Sequence, residues 1–313
     1  MAASSQRAIF AALAANLGLA IAKFAGWLLT GAASMLAEAV HSLADVTNQL
    51  LLLWGGAAAK RAPTTAHPFG HGRERYFWSF VVAIVIFTLG GLFALYEGVE
   101  KVRHPHPVNA PQIAISILLL GIALEGMSLR TAMREARPLK QERSWWRYIR
   151  TTKQPELPVV LLEDLAALLG LMIALIGVSA AAITGNGVWD GLGSVAIAGL
   201  LMSIATILAV EMKSLLIGEA VSADHERQIV AAMNAVPRFE RLIHMRTQHI
   251  GPEQILVGAK VQLDAALDFA SVTEVIDEIE TRIRASVPAA RVIYIEPDIY
   301  EPLEPHRVSS PEQ

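Results

Sequence analysis

The 313-residue sequence has no cysteine, which excludes a disulfide scaffold, a thiolate metal site and a cysteine nucleophile. Charge is also scarce. Asp, Glu, Lys and Arg make up 18% of the chain, where an ordinary soluble protein carries roughly 25%. The shortage is local. Residues 1–217 hold 30 of the 55 charged residues with a net charge of +4, and residues 218–313 hold the other 25 with a net charge of −7. With 53% hydrophobic residues and a mean hydropathy of +0.43, this split predicts three parts. They are a membrane domain over 1–217, a soluble domain over 218–303 and a disordered tail over 304–313. The acidic balance of the soluble part argues against nucleic acid as a partner.

A helix needs roughly 20 mostly apolar residues to span a bilayer. Six stretches qualify, near Ile9–Leu29, Ser34–Ala58, Phe77–Val99, Ile113–Ala132, Val159–Ile183 and Leu192–Val210. The first carries Asn16 and Lys23 in its middle and reads as a retained helix rather than a cleaved signal. Basic residues near span ends set orientation. Arg7, Lys60, Arg61, Arg73, Arg75 and those from Arg130 through Lys153 fall on one side of a six-span path, and only Lys101 and Arg103 fall on the other. Both termini are therefore expected in the cytoplasm. The alanine-rich composition without a presequence points to a bacterial inner membrane. The Arg134–Lys153 linker mixes cations with Trp145, Trp146 and Tyr148, a composition suited to the headgroup layer.

Ionisable residues inside a span cost at least roughly 2.5–3.5 kcal/mol each on insertion scales, so each asks for a reason. In the second span Glu38, His41, Asp45 and Asn48 fall within an arc of about 80° at 100° per residue. One wall of that helix is thus polar over three turns. The fifth span is apolar except for adjacent Glu163 and Asp164. Pressed together, the two spans confine one imidazole and several carboxylates, a donor set suited to a divalent transition metal such as zinc, manganese or iron. A structural polar network between helices is the alternative. His41, Asp45 and Asp164 are the primary candidate ligands. Glu163 points about 100° from Asp164 and is a candidate fourth ligand or proton-handling group. Glu38 and Asn48 are placed around the site or at its entrance. Glu97 and Glu125 are further in-membrane acids, available to pair with Lys23 or to move protons.

The stretch from Ser34 to Asp45, with Glu38 and His41 inside it, and the later His67-Pro-Phe-Gly-His71-Gly-Arg resemble the cation diffusion facilitator family. Leu161-Leu-Glu163-Asp164 through Gly170, with Val40 to Gln49, resembles the branch of that family that includes zinc transporter nine. The resemblance implies six transmembrane helices and a cytoplasmic α+β, metallochaperone-like domain of order αββαβ. It also implies a homodimeric antiporter in the lipid bilayer, not an enzyme. Such a protein exports a divalent cation, Zn2+ first and Mn2+, Fe2+ or Co2+ as alternatives, against protons by alternating access. A membrane regulator that keeps the fold without transporting is the rival reading. His41 and Asp45 match the family's second-span ligands and Asp164 its distal fifth-span ligand. Val160 stands where many members carry a fourth ligand, leaving that place to Glu163 or a water.

Family members often hold a second metal at the segment containing His67 and His71. Here Thr64-Thr65-Ala66 precedes it without a carboxylate, so a weak or absent site is expected. The linker between spans four and five contains no histidine. In the soluble domain helices are expected at Ala223–Asn234 and after Ser271, read as a capping residue because Ser-Val-Thr-Glu274 forms a capping box. Strands are expected at Leu242–Gln248, Ile255–Leu263 and Val292–Ile295. Ile243, Lys260 and Ile295 stand where zinc-sensing members place ligands. Five residues apart on one strand, His244 and His249 are expected on opposite faces. The domain is therefore expected to dimerise through apolar contacts, and His104, His106, His225 and His306 to be solvated.

Overall fold

The computed structural model describes residues 3–300, with side chains from Asn16 onward. Arg7, His306 and the expected tail at 304–313 lie outside the side chains so described. The chain divides into two compact units after Ile217.

The first unit is all helical: α1 (Ala3–Thr30), α2 (Ala33–Ala58), α3 (Glu74–Val85), α4 (Phe93–Arg103), α5 (Pro111–Lys140), α6 (Trp145–Thr151), α7 (Glu156–Thr184) and α8 (Val188–Ile217). A π-helical turn, Ile86–Leu92, joins α3 and α4 into one rod, Glu74–Arg103. Among the described residues four helices are long and apolar enough to cross a membrane: that rod, α5, α7 and α8. Of the other two expected spans, α1 is a 28-residue helix whose described side chains, from Asn16 to Thr30, form an apolar segment. Helix α2 falls outside the same class because its polar wall lowers its mean hydropathy. The helices run past their apolar runs. Helix α5 continues eight residues beyond Ala132, and α8 seven beyond Val210.

Met35, Val82, Leu118, Leu171 and Leu201 meet in the bundle centre, while Leu28, Ile176 and Ile183 point outward and are exposed. Such an outward apolar surface is what hydrocarbon solvates. Local chemistry sets the helix ends. Gly31 takes the left-handed conformation (φ +61°) that turns α1 into α2, and Gly185 (φ +68°) ends α7 in the same way. Pro111 occupies the first turn of α5. In α6, Ser144 accepts a hydrogen bond from Arg147 N at 3.2 Å. Lys140, Arg143 and Arg150 lie over the rings of Trp145, Tyr148 and Trp146, giving the linker the aromatic-cationic character expected at a headgroup layer.

The second unit has the expected αββαβ order: α9 (Ala223–Asn234), β1 (Phe239–Gly251), β2 (Gln254–Leu263), α10 (Phe269–Ser286) and β3 (Ala290–Pro297). The sheet order is β1-β2-β3, antiparallel across the turn at Pro252-Glu253 and parallel across the α10 crossover. Alternate residues of β2, among them Ile255, Val257 and Val261, are buried with Ile229 of α9 and Ile279 and Ile283 of α10. The strands run longer than the sequence indicates. Ser271 is not the cap of α10: the helix begins at Phe269 and Asp268 accepts from Ser271 N at 2.9 Å. An aspartate three residues earlier outcompetes the serine because its carboxylate is the stronger acceptor for the free N–H groups.

Candidate functional site

Helix α2 lies between α1 and α7 and carries its polar wall into the bundle interior. Glu38, His41, Asp45 and Asn48 are all buried there, Glu38 and Asn48 completely. Lys23 reaches them from α1: its ammonium donates to Glu38 Oε2 at 3.1 Å and to Ser42 Oγ at 2.7 Å. Lys23 thus takes as its hydrogen-bonded partner Glu38, which the sequence did not single out for that role, rather than Glu97, while Glu125 remains within electrostatic reach of it. His41 Nδ1 is 3.6 Å from Asp45 Oδ1, one turn along the same wall.

From α7, Glu163 is the group that meets this wall. Asn48 Nδ2 donates to Glu163 Oε1 at 3.1 Å, and the carboxyl of Asp45 adjoins that of Glu163. Asp164, one residue on and so turned by about 100°, faces α5 and accepts from Ser128 Oγ at 3.0 Å. Glu125 lies near Asp164 on that side. The structure therefore brings Glu163, and not Asp164, to Asp45 and Asn48 of the α2 wall, with His41 beside Asp45. Among the described residues no three His, Asp or Glu side chains converge closely enough to hold a metal ion as they stand.

Both ring nitrogens of His41, Asp45 Oδ1, Glu38 Oε1 and Asn48 Oδ1 are buried without a hydrogen-bond partner among the described residues. Buried polar atoms are normally satisfied, and here five of them share one wall of one helix. They form a row of nitrogen and oxygen donors facing α7. The Gly90 backbone closes the site on a third side: a Cβ there would stand 3.8 Å from His41 Nδ1. Gly90 belongs to the π-helical turn, an irregularity often found at functional positions.

The other sequence candidates lie elsewhere. His67 is exposed and His71 half-buried, with ring centroids 4.6 Å apart in a loop turned by Gly70 (φ +82°). Glu97 lines a cavity of about 400 Å³ with Glu100, Lys101, His104 and His106. Both of those histidines are exposed, as expected, and each also has a neighbour. His104 pairs with Glu100 at 3.7 Å, and Lys101 Nζ is 2.8 Å from His106 Nδ1. In the second unit His244 is exposed and His249 buried, and Lys260 forms ion pairs with Glu296 at 3.1 Å and Asp298 at 2.7 Å.

One buried acid escaped the sequence reading. Asp190, in the first turn of α8, accepts from Ala33 N at 2.6 Å and Ser34 N at 3.2 Å, the first residues of α2, and also from Ser34 Oγ. Lys101 Nζ stands 3.8 Å from it. The available signal was Gly31-Ala32-Ala33, a helix start with no capping side chain of its own.

Residues 9–217 match the cation efflux transmembrane domain, and residues 221–298 match the cytoplasmic domain of cation efflux proteins. The chain is 31% identical over 254 residues to a proton-coupled zinc antiporter SLC30A9, mitochondrial, of Xenopus laevis, covering 80% of this chain and 45% of that protein. It is 31% identical to metal tolerance protein C4 of Arabidopsis thaliana, over 84% of this chain and 58% of that protein. The cation-efflux pump FieF of Pectobacterium carotovorum is 24% identical over 91% of this chain and 90% of its own. The chain thus spans about half the length of the SLC30A9 antiporters it matches. A solved MamM CTD in its nickel form is 16% identical, covers 26% of this chain and all of its own, and has a TM-score of 0.24. With both of its units matched, one after the other along the sequence, the chain belongs to the cation efflux family.

Proposed function

We propose that the protein exports a divalent transition metal, zinc first, from the cytoplasm in exchange for protons. The observation that carries this reading is the row of buried polar atoms on α2 without hydrogen-bond partners among the described residues, with Glu163 of α7 meeting its Asp45 and Asn48 end. An apolar bundle gains nothing from such atoms unless a polar guest completes them. One imidazole, two or three carboxylates and an amide oxygen suit a borderline cation. His41, Asp45 and Glu163 form the centre of the site, and Asp164 joins when α7 turns toward α2. Asn48 orients Glu163. No nucleophile or phosphate loop accompanies these groups, so the cation is cargo and not the cofactor of an enzyme.

Ligation needs a neutral imidazole and ionised carboxylates, so protons and metal compete for the same atoms. Coupling follows if the site opens alternately to the two sides. A rocking of α2 and α7 against the rest would do this, with the π-helical turn beside His41 as the yielding segment. The second unit pairs two copies, the termini face the cytoplasm, and the membrane is a bacterial inner membrane. His67 and His71 offer at most a weak second site. A second reading has an observation behind it: Glu163 makes the site oxygen-rich, which favours manganese or iron.

The test is flux into proteoliposomes of the purified chain, with zinc, manganese, cobalt and iron, with and without a pH difference. Metal uptake accompanied by proton movement is the expected result. Absence of flux for all four cations would leave only the regulator reading.

A further inference from the structure

Lys23 has no place in that mechanism as described, yet its ammonium is completely buried and so is the carboxylate it pairs with. A lysine in the middle of a span is expensive, and a buried ion pair adds little net stability. The pair is also lopsided. Lys23 holds Glu38 Oε2 and Ser42 Oγ, while Glu38 Oε1 has no hydrogen-bond partner among the described residues. That free oxygen is turned to α7, where a Cβ on Gly170 would lie 2.5 Å from it. Glu38 thus stands on the wall of His41 and Asp45, one helical turn from His41, with one oxygen against Gly170 of α7 and the other tied to α1.

The charges decide what this arrangement does. Ionised Asp45 and Glu163 together balance a divalent cation. Glu125 stands near Lys23, Glu38 and both of these carboxylates as well, so an uncompensated Glu38 would add negative charge to an already acidic region. In a low-dielectric interior, that excess would hold the cation too tightly to leave. Conduction and transport need binding weak enough for release.

We propose that Lys23 is a built-in counter-ion which keeps Glu38 out of the cation's ligand set and matches the charge of the site to a divalent cation. The inference rests on the cation site proposed above and names what sets its affinity. Lys23 is a positioning residue: it acts through Glu38 and does not touch the cation.

The test is Zn2+ titration by calorimetry on the full chain in detergent, with Lys23→Met, Glu38→Gln and the double variant, each checked for its thermal unfolding. Lys23→Met should bind Zn2+ at least about tenfold more tightly and transport it more slowly. Glu38→Gln should bind at least about tenfold more weakly, because Lys23 is then an uncompensated cation beside the site. The double variant should return to within about threefold of wild type. Opposite signs that cancel are the signature of charge matching; a purely structural contact would weaken binding in both single variants. Weaker or unchanged binding in a folded Lys23→Met therefore overturns the inference. If Lys23→Met does not fold, Glu38→Gln and the double variant decide, since a double variant as weak as Glu38→Gln overturns it equally. A wild-type chain that binds no divalent cation refutes the cation site itself, whereas binding with the wrong pattern of signs refutes only the role of Lys23.

Discussion

Replacing Asp190 by alanine should destabilise the bundle far more than removal of a helix-end acid ordinarily does. Helix α2 begins at Ala33 after Ala32, which offers no side chain to the free N–H groups. Asp190 supplies that cap from α8, accepting from Ala33 N, Ser34 N and Ser34 Oγ while completely buried. Hydrogen bonds to a charged partner contribute about 1.5–3 kcal/mol each, and breaking a buried ion pair costs about 3–5 kcal/mol. Lys101 keeps Gly31 O at 2.9 Å and the His106 ring after the change, so it is not left unpartnered. The total should therefore sit near about 3–5 kcal/mol rather than at the sum of all contacts. Asp190→Asn retains one acceptor oxygen and should cost about half as much. Equilibrium unfolding in mixed detergent, followed by helical circular dichroism, measures both. His41 lies eight residues into α2, so transport should fall with the loss of the cap although Asp190 does not belong to the cation site. A cost under about 1 kcal/mol for Asp190→Ala, or equal costs for the two variants, would refute the argument.

Five further substitutions probe separate parts of the chain. Glu163→Gln keeps an oxygen for Asn48 but removes the charge facing His41 and Asp45, so Zn2+ affinity should drop by about tenfold or more. Asp164→Asn, whose partner is Ser128, should lose less in the same titration; equal losses would contradict the placement of Glu163 as the α7 group on the α2 wall. Gly98→Ala sets a Cβ 2.7 Å from Val195 N and 2.9 Å from Gly191 O, backbone atoms that cannot step aside, and should cost about 1–3 kcal/mol in unfolding. Gly56→Ala, with open space at its Cβ, should instead gain up to about 1 kcal/mol. In the second unit, hydrogen bonds from the Ser271 side chain and backbone hold the Asp268 carboxyl below its usual range. Its stabilising charge is fully present above the ordinary carboxylate pKa and is lost as pH falls through the depressed folded value. Melting temperature measured between about pH 5 and 2 should thus fall less steeply in Asp268→Ala than in wild type, and parallel curves would dismiss the cap.

What the sequence made legible follows from what a one-dimensional pattern can hold. Apolar runs located the membrane helices, because their outward faces meet hydrocarbon and tolerate little else. They did not locate the ends: α5 runs on to Lys140 through Pro138 on polar residues that hydropathy reads as linker. The polar wall of α2 was visible because it is periodic within one helix. Asp190 was not, since its partners lie more than 150 residues away and its position in a first turn looks ordinary. Lys23 was visible as an oddity, but choosing Glu38 over Glu97 or Glu125 required knowing how α1 faces α2.

The same limit governs the choice between Glu163 and Asp164. Adjacent residues on a helix differ by about 100°, so either can face α2 until the rotation of α7 is fixed. Glycines fix it. Gly177 stands against the Trp189 carbonyl and the Gly193 backbone, within 3.5 Å of where its Cβ would be, and Gly170 admits Glu38 Oε1 where any side chain would intrude. Glu163 is seven residues before Gly170, and Gly177 seven after, so the three lie within about 40° of one another on α7. The stripe that lets α7 approach α2 and α8 therefore also delivers Glu163 to Asp45 and Asn48. Asp164 is left beside that stripe, facing Ser128, because one residue along the helix is a turn of about 100°.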